Sequence, residues 1–203
     1  MMMNKIIFKP EIFAVIAAIL NGTSGVFTRW AFNLNTTPAT LAFWKCFLAF
    51  VLMAIFCTIN NQLTKDVIGL VKHWKKFALL SFLGIFCLYF FETWAFNQAS
   101  IPLVSFLTYA AGIITLLLSV IFLKEKITVY KIIAFCSIIA GVFFMLLFAK
   151  DVKGSLFGVV FALLGGLGYA LFIFMSKILK VGSGIAQLFW LFLFGSLFCL
   201  YHG

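Results

Sequence analysis

Three ionised side chains, Arg29, Lys45 and Glu92, lie inside stretches that are otherwise apolar. A charge at the centre of a bilayer costs roughly 2.5–3.5 kcal/mol even on the mildest scale, so each needs a partner, a polar cavity or a task. A carboxylate between two cations leaves net positive charge, which would draw in an anionic or zwitterionic solute. Glu92 could then act as counter-ion or take up a proton. The structural alternative is that Arg29 snorkels to the interface beside Trp30 while Lys45 and Glu92 form a static pair. Of the three, Lys45 with Glu92 is the stronger combination.

Uncharged polar groups extend this candidate site. Asn21 opens the run Asn21-Gly22-Thr23-Ser24 in the middle of the first apolar stretch, and Ala18, Gly22, Gly25 and Arg29 follow one helical face. Further on, Ser105, Thr108, Gly112, Thr115 and Ser119 recur at helical spacing, with Tyr109 on the edge of that stripe. Such a stripe serves close helix packing or lines a polar passage, and both readings hold at different heights of one helix. The candidate substrate-binding residues are therefore Lys45, Glu92, Arg29, Asn21, Tyr109 and Thr108.

The elements that position them are membrane helices. The chain has 203 residues, of which 65% are hydrophobic and 10% charged, including 28 Phe. Soluble domains are about 25% charged, and the mean hydropathy here is +1.20. The reading is an all-α, polytopic membrane helix bundle whose partners are the lipid bilayer and a small-molecule substrate. The net charge of +10 does not indicate nucleic acid, because the lysines sit in short loops between apolar spans. All five cysteines lie inside apolar runs without CxxC spacing, and His73 and His202 are too scattered for a zinc site. No metal or cofactor is expected. HExxH, GxSxG and P-loop patterns are missing, so the chain does not read as an enzyme; transport would draw on a gradient or on exchange, or be facilitated, with a proton as the candidate coupling ion.

Seven spans are expected, at roughly 12–32, 40–59, 77–97, 102–122, 129–148, 155–175 and 185–201, joined by short connections that include 60–76. The N-terminal segment resembles a signal-peptide n-region, but the apolar run behind it is too long and ends in Arg29-Trp30, so it reads as an uncleaved span. With the N-terminus inside, only Lys150 and Lys153 among the loop lysines fall outside, which predicts a multi-pass protein of the cytoplasmic (inner) membrane with a cytoplasmic N-terminus.

An internal echo supports a repeat. Phe13, Val15, Ala18, Leu20 and Gly22 recur at one constant offset as Phe157, Val159, Ala162, Leu164 and Gly166, and Phe43-Trp44 recurs as Phe189-Trp190. A repeat of five spans is odd, so its second copy must run the opposite way, as in many secondary transporters. Residues 1–150 then form a first five-helix repeat, and 151–203 a partial second repeat of two helices. Ile173 and Leu191 align with Arg29 and Lys45, so the cations belong to one half only.

The run from Phe96 through Ala99, Pro102 and Tyr109 to Leu123-Lys124-Glu125-Lys126-Ile127-Thr128, and on to Ile139-Ala140-Gly141-Val142, resembles the EamA family of the drug/metabolite transporter superfamily. That family follows its fourth span with a loop of the form Leu-x-Glu-(Arg/Lys)-(Leu/Ile)-Thr, and Lys45 stands where it often has a basic residue. The resemblance implies two inverted five-helix repeats, of which about seven spans are present here, around a central cavity. It implies a permease for small metabolites such as amino acids, nucleotide-type compounds or S-adenosylmethionine. Gly112 departs from the family, which often has proline there. The missing three spans leave a truncated, non-transporting protein or scaffold subunit as the alternative expectation.

Overall fold

The computed structural model describes residues 10–109, 111–124, 128–148, 152–181 and 184–202. They form α1 (Pro10–Asn33), α2 (Pro38–Ile59), α3 (Asn61–Leu70), a 3₁₀ turn (Val71–His73), α4 (Trp74–Ser81), a π-helical turn (Phe82–Phe86) and α5 (Cys87–Gln98). Then follow α6 (Ile101–Tyr109), α7 (Ala111–Leu123), α8 (Val129–Phe148), α9 (Leu156–Leu179) and α10 (Ile185–His202). Among the described residues there is no strand, and one isolated bridge pairs Ala99 with Gly154. The chain is an all-α polytopic membrane protein. Among the described residues, four stretches, Pro38–Ile59, Leu63–Gln98, Ile101–Leu123 and Leu156–Leu179, are long and apolar enough to cross a membrane, and Ile185–Tyr201 is a shorter apolar helix.

Helix ends follow local chemistry. Thr37 caps α2 by accepting a hydrogen bond from the Thr40 amide, with Pro38 at the first helical position, where its missing N–H costs nothing. Ser155 caps α9 through the Gly158 amide at 3.1 Å. The expected connection 60–76 is instead helical: Leu63, Val67 and Leu70 make one apolar face of α3, and Val67 packs with Cys57 and Ala186. Two turns of amphipathic spacing were hidden there by the polar residues between them.

Helix α9 runs through the middle of the bundle. It packs along α5 and the π-helical turn on one side and along α6 and α7 on another, while α10 packs against α2, α3 and α4. Lipid offers no hydrophobic force to hold helices together, so close backbone approach through small residues must do so. Gly165 lies against the backbone of Cys87, Leu88 and Glu92, and Gly166 lies against the carbonyls of Leu107 and Thr108. At Gly168 a Cβ would sit 2.5 Å from the Cys87 Cβ and 2.8 Å from the Leu83 carbonyl. The expected small-residue face of α1 holds at Gly25, which Ile101 and Phe96 cover, but Gly22 and, in α8, Gly141 have nothing within 4 Å.

Polar ties supplement this packing. Ser81 donates to the Leu191 carbonyl at 2.6 Å, linking α4 to α10 inside the core. In the α6–α7 stripe Thr108, Thr115 and Ser119 are buried whereas Gly112 is open, and Ser119 accepts from Lys177 of α9 at 3.1 Å. The stripe therefore faces α9 over most of its length.

Replacing Gly168 with Val should lower detergent-state stability by about 1–3 kcal/mol through overpacking against backbone. The control Gly22→Ala meets open space and should hold or raise stability by up to ~1 kcal/mol. Thermal unfolding followed by circular dichroism separates the two.

Candidate functional site

The three intramembrane charges do not converge. Arg29, near the end of α1, donates through Nη2 to the Ala99 carbonyl at the end of α5, where a helix leaves carbonyls without partners. This guanidinium lines an open pocket of ≈ 540 Å³ with Asn97, Gln98, Ser100 and Lys153. Two backbone bonds pin the same corner, from the Ser100 amide to the Lys153 carbonyl (2.7 Å) and from the Ser155 amide to the Gln98 carbonyl (3.0 Å). Arg29 is thus a clamp on the α5–α6 corner and lines a different cavity from Glu92.

Lys45 sits between α1 and α5, its ammonium donating to Thr28 Oγ1 at 2.7 Å and to Thr93 Oγ1 at 3.3 Å. Both hydroxyls are buried. Each passes its own proton to a carbonyl one turn back in its helix, Thr28 to Ser24 at 2.7 Å and Thr93 to Tyr89 at 2.5 Å. Their lone pairs are therefore turned toward the cation, and the helix carbonyls behind them reinforce the negative end of each O–H dipole. Among the described residues, no ion pair joins Glu92 to Lys45 or Arg29; its charge reaches Lys45 only through space. The expected Lys45–Glu92 contact is replaced by two threonines because hydroxyls on neighbouring helices reach the ammonium first.

Glu92 instead lines a second cavity, of ≈ 200 Å³, with Asn21, Tyr89, Thr108, Tyr109, Tyr169 and the apolar Gly84, Ile85, Leu88 and Phe172. Its walls are α1, the π-helical turn, α5, α6 and α9; span 2, expected to contribute, does not. Asn21 lies midway along α1 and Tyr169 near the middle of α9, so the cavity is at mid-height of the bundle. Asn21 Nδ2 donates to the Tyr109 hydroxyl at 3.1 Å. Thr108 is only 5% exposed, and its Oγ1 has no hydrogen-bond partner among the described residues. The π-helical turn is local to this wall: Gly84 lets the Phe172 ring approach so closely that a Cβ would lie 2.4 Å from its Cγ. Four of the six expected residues, Asn21, Glu92, Thr108 and Tyr109, thus share one cavity, Lys45 stands one helix behind it, and Arg29 is elsewhere.

The model of the EamA-like transporter family matches residues 8–147. The chain belongs to this family. No curated protein and no solved structure matches it. As an EamA-like protein it is a membrane transporter of the drug/metabolite type. Glu125, in the loop most specific to the family, lies outside the described residues.

Sequence reasoning missed Tyr89 and Tyr169 on the cavity wall and Thr28 and Thr93 around Lys45. One signal was available. The chain has 5 Tyr against 28 Phe, so a phenol in a span is the exception, and three of the five face this cavity. Thr28 and Thr93 adjoin Arg29 and Glu92 in sequence, and their roles emerge only when α1, α2 and α5 are brought together.

Thr93→Val should remove one hydrogen bond to a charged group, lowering stability by about 1.5–3 kcal/mol, whereas Thr93→Ser should restore it. Unfolding midpoints in detergent check the pair; equal midpoints for Val and Ser would mean the ammonium does not depend on that hydroxyl.

Proposed function

We propose that this chain works as a secondary transporter of small metabolites in the cytoplasmic membrane, with the solute held in the Glu92 cavity. The observation that carries the reading is the buried Thr108 hydroxyl, unpartnered on the wall of a mid-membrane cavity that also holds a carboxylate. An unpaired buried hydroxyl costs about 1–3 kcal/mol, and a bound solute that satisfies it recovers this. Around it, Asn21 and Tyr109 offer a donor and acceptor, Tyr89 and Tyr169 add phenols, and Phe172 gives an apolar wall.

Size narrows the solute class. A volume of ≈ 200 Å³ equals about six or seven waters at ~30 Å³ each, below the ~300–1,000 Å³ of sites for drug-sized ligands. That favours amino-acid-sized solutes over nucleotides or S-adenosylmethionine in this conformation. Glu92 would face a solute ammonium or carry a proton, and Lys45 behind it would balance the charge when the carboxylate is ionised. Mid-height placement suits alternating access around a fixed site. A cytoplasmic N-terminus is supported by the lysine asymmetry, since Lys65, Lys72 and Lys180 gather on one cavity at one end of the bundle.

Reconstituted protein should take up radiolabelled amino acids, and Glu92→Gln should reduce that uptake about tenfold or more, equivalent to ~1.4 kcal/mol. Thr108→Val is the sharper case: it removes an unsatisfied group, so stability should hold or rise, while solute affinity falls about 3–10-fold, the ~0.5–1.5 kcal/mol of a typical hydrogen bond. Unchanged uptake by both variants at equal expression would refute the site.

A further inference from the structure

At the end of the bundle opposite Arg29, a separate cavity of ≈ 740 Å³ opens between α3, the 3₁₀ turn and the α9–α10 corner. Its rim carries Lys65, Lys72, His73 and Lys180, with Asp66 the single acidic residue among the described residues that line it. Its floor is apolar, from Leu70, Val181 and Ile185 among others. We propose that this cavity binds the phosphodiester headgroup of an acidic membrane lipid, the lysines holding the phosphate and the floor taking the glycerol and first acyl carbons.

Three independent observations lead there. The first is depth. Trp190 donates its indole N–H to the Val67 carbonyl at 3.0 Å, and the half-exposed Trp74 ring carries the Lys75 ammonium 5.7 Å from its centroid. Tryptophans with polar edges satisfied beside cations mark the headgroup level of a bilayer. Amphipathic α3 lies at that level, its Leu63, Val67 and Leu70 face inward and its Lys65 outward.

The second is the shape of the charge. At ~30 Å³ per water, ≈ 740 Å³ equals about 25 waters. That is far more than a bare phosphate needs, and the cations are confined to the rim above an apolar floor. This division matches a headgroup joined to hydrocarbon, and basic pockets between span ends are how such lipids are held.

The third is the backbone at Lys180. It ends α9 in the left-handed conformation, φ 46°, with its amide bonded to the Ser176 carbonyl. Glycine occupies that position in many helices without steric penalty, and lysine does not. A cation at a helix C-terminus does favour the helix dipole. That accounts for Lys180 alone, and not for Lys65, Lys72 and His73 meeting it from a different part of the chain.

Lys180→Gly therefore makes a clean variant, since it relieves the backbone while removing the charge. The full chain would be purified in neutral detergent and offered dioleoylphosphatidylglycerol or dioleoylphosphatidylcholine at equal mole fraction, with bound lipid counted by native mass spectrometry. The expected result is preferential retention of phosphatidylglycerol. Each of Lys180→Gly and Lys72→Gln should lower it about fivefold, about 1 kcal/mol per cation, with Lys72→Arg restoring it and the Lys180→Gly unfolding midpoint equal or higher. Equal retention of both lipids, or phosphatidylglycerol binding unchanged in both variants, overturns the proposal. A third arm adds millimolar sodium phosphate: persistence of bound lipid supports the lipid as occupant, and its displacement reassigns the site to free phosphate and overturns the lipid assignment.

Discussion

The architecture depends on how closely α9 can approach the third span. Between helices in lipid there is no solvent to expel, so contact must come from dispersion and backbone proximity. Gly165 and Gly168 bring α9 onto the backbone around Leu83, Cys87 and Glu92, and Gly166 brings it onto Leu107 and Thr108 of α6. One helix is thereby pressed against two others along a single stripe. Tyr169 and Phe172, next on that helix, are carried to the same place, and the cavity forms where side chains larger than glycine force the backbones apart again.

That cavity and the cation behind it show two ways of keeping polar groups in a membrane. Lys45 is satisfied internally, by threonines that lean on helix carbonyls, so its charge is held without a counter-ion in contact. Glu92 and Thr108 are placed beside space instead, where something entering from outside can complete them. Full satisfaction favours a static role and incomplete satisfaction favours binding, because only the latter leaves free energy for a ligand to recover. Arg29 is intermediate: its Nη2 serves the open carbonyl end of α5, while its buried Nε has no hydrogen-bond partner among the described residues.

Much was legible in advance. Span positions read from apolar runs agree with α1, α2, α8, α9 and α10 to within a few residues, because a helix in lipid has one requirement, an unbroken apolar length. The helix at 61–70 was not legible, since its apolar residues are few and acquire meaning only when α10 lies beside them. Nor was the separation of Arg29, Lys45 and Glu92: an apolar run fixes where a residue lies along its helix and says nothing about rotation around the axis.

Composition and periodicity alone determined that this is a polytopic helical membrane protein with few polar residues inside its spans. These properties follow from each segment's own contact with lipid, so no other segment is needed to read them. Which polar groups meet, and which are paired off, only the tertiary structure decided. The pairing of Lys45 with Thr28 and Thr93, and the gathering of Asn21, Glu92, Thr108 and Tyr109 around one cavity, depend on helix rotation and on glycine-set distances between helices remote in sequence.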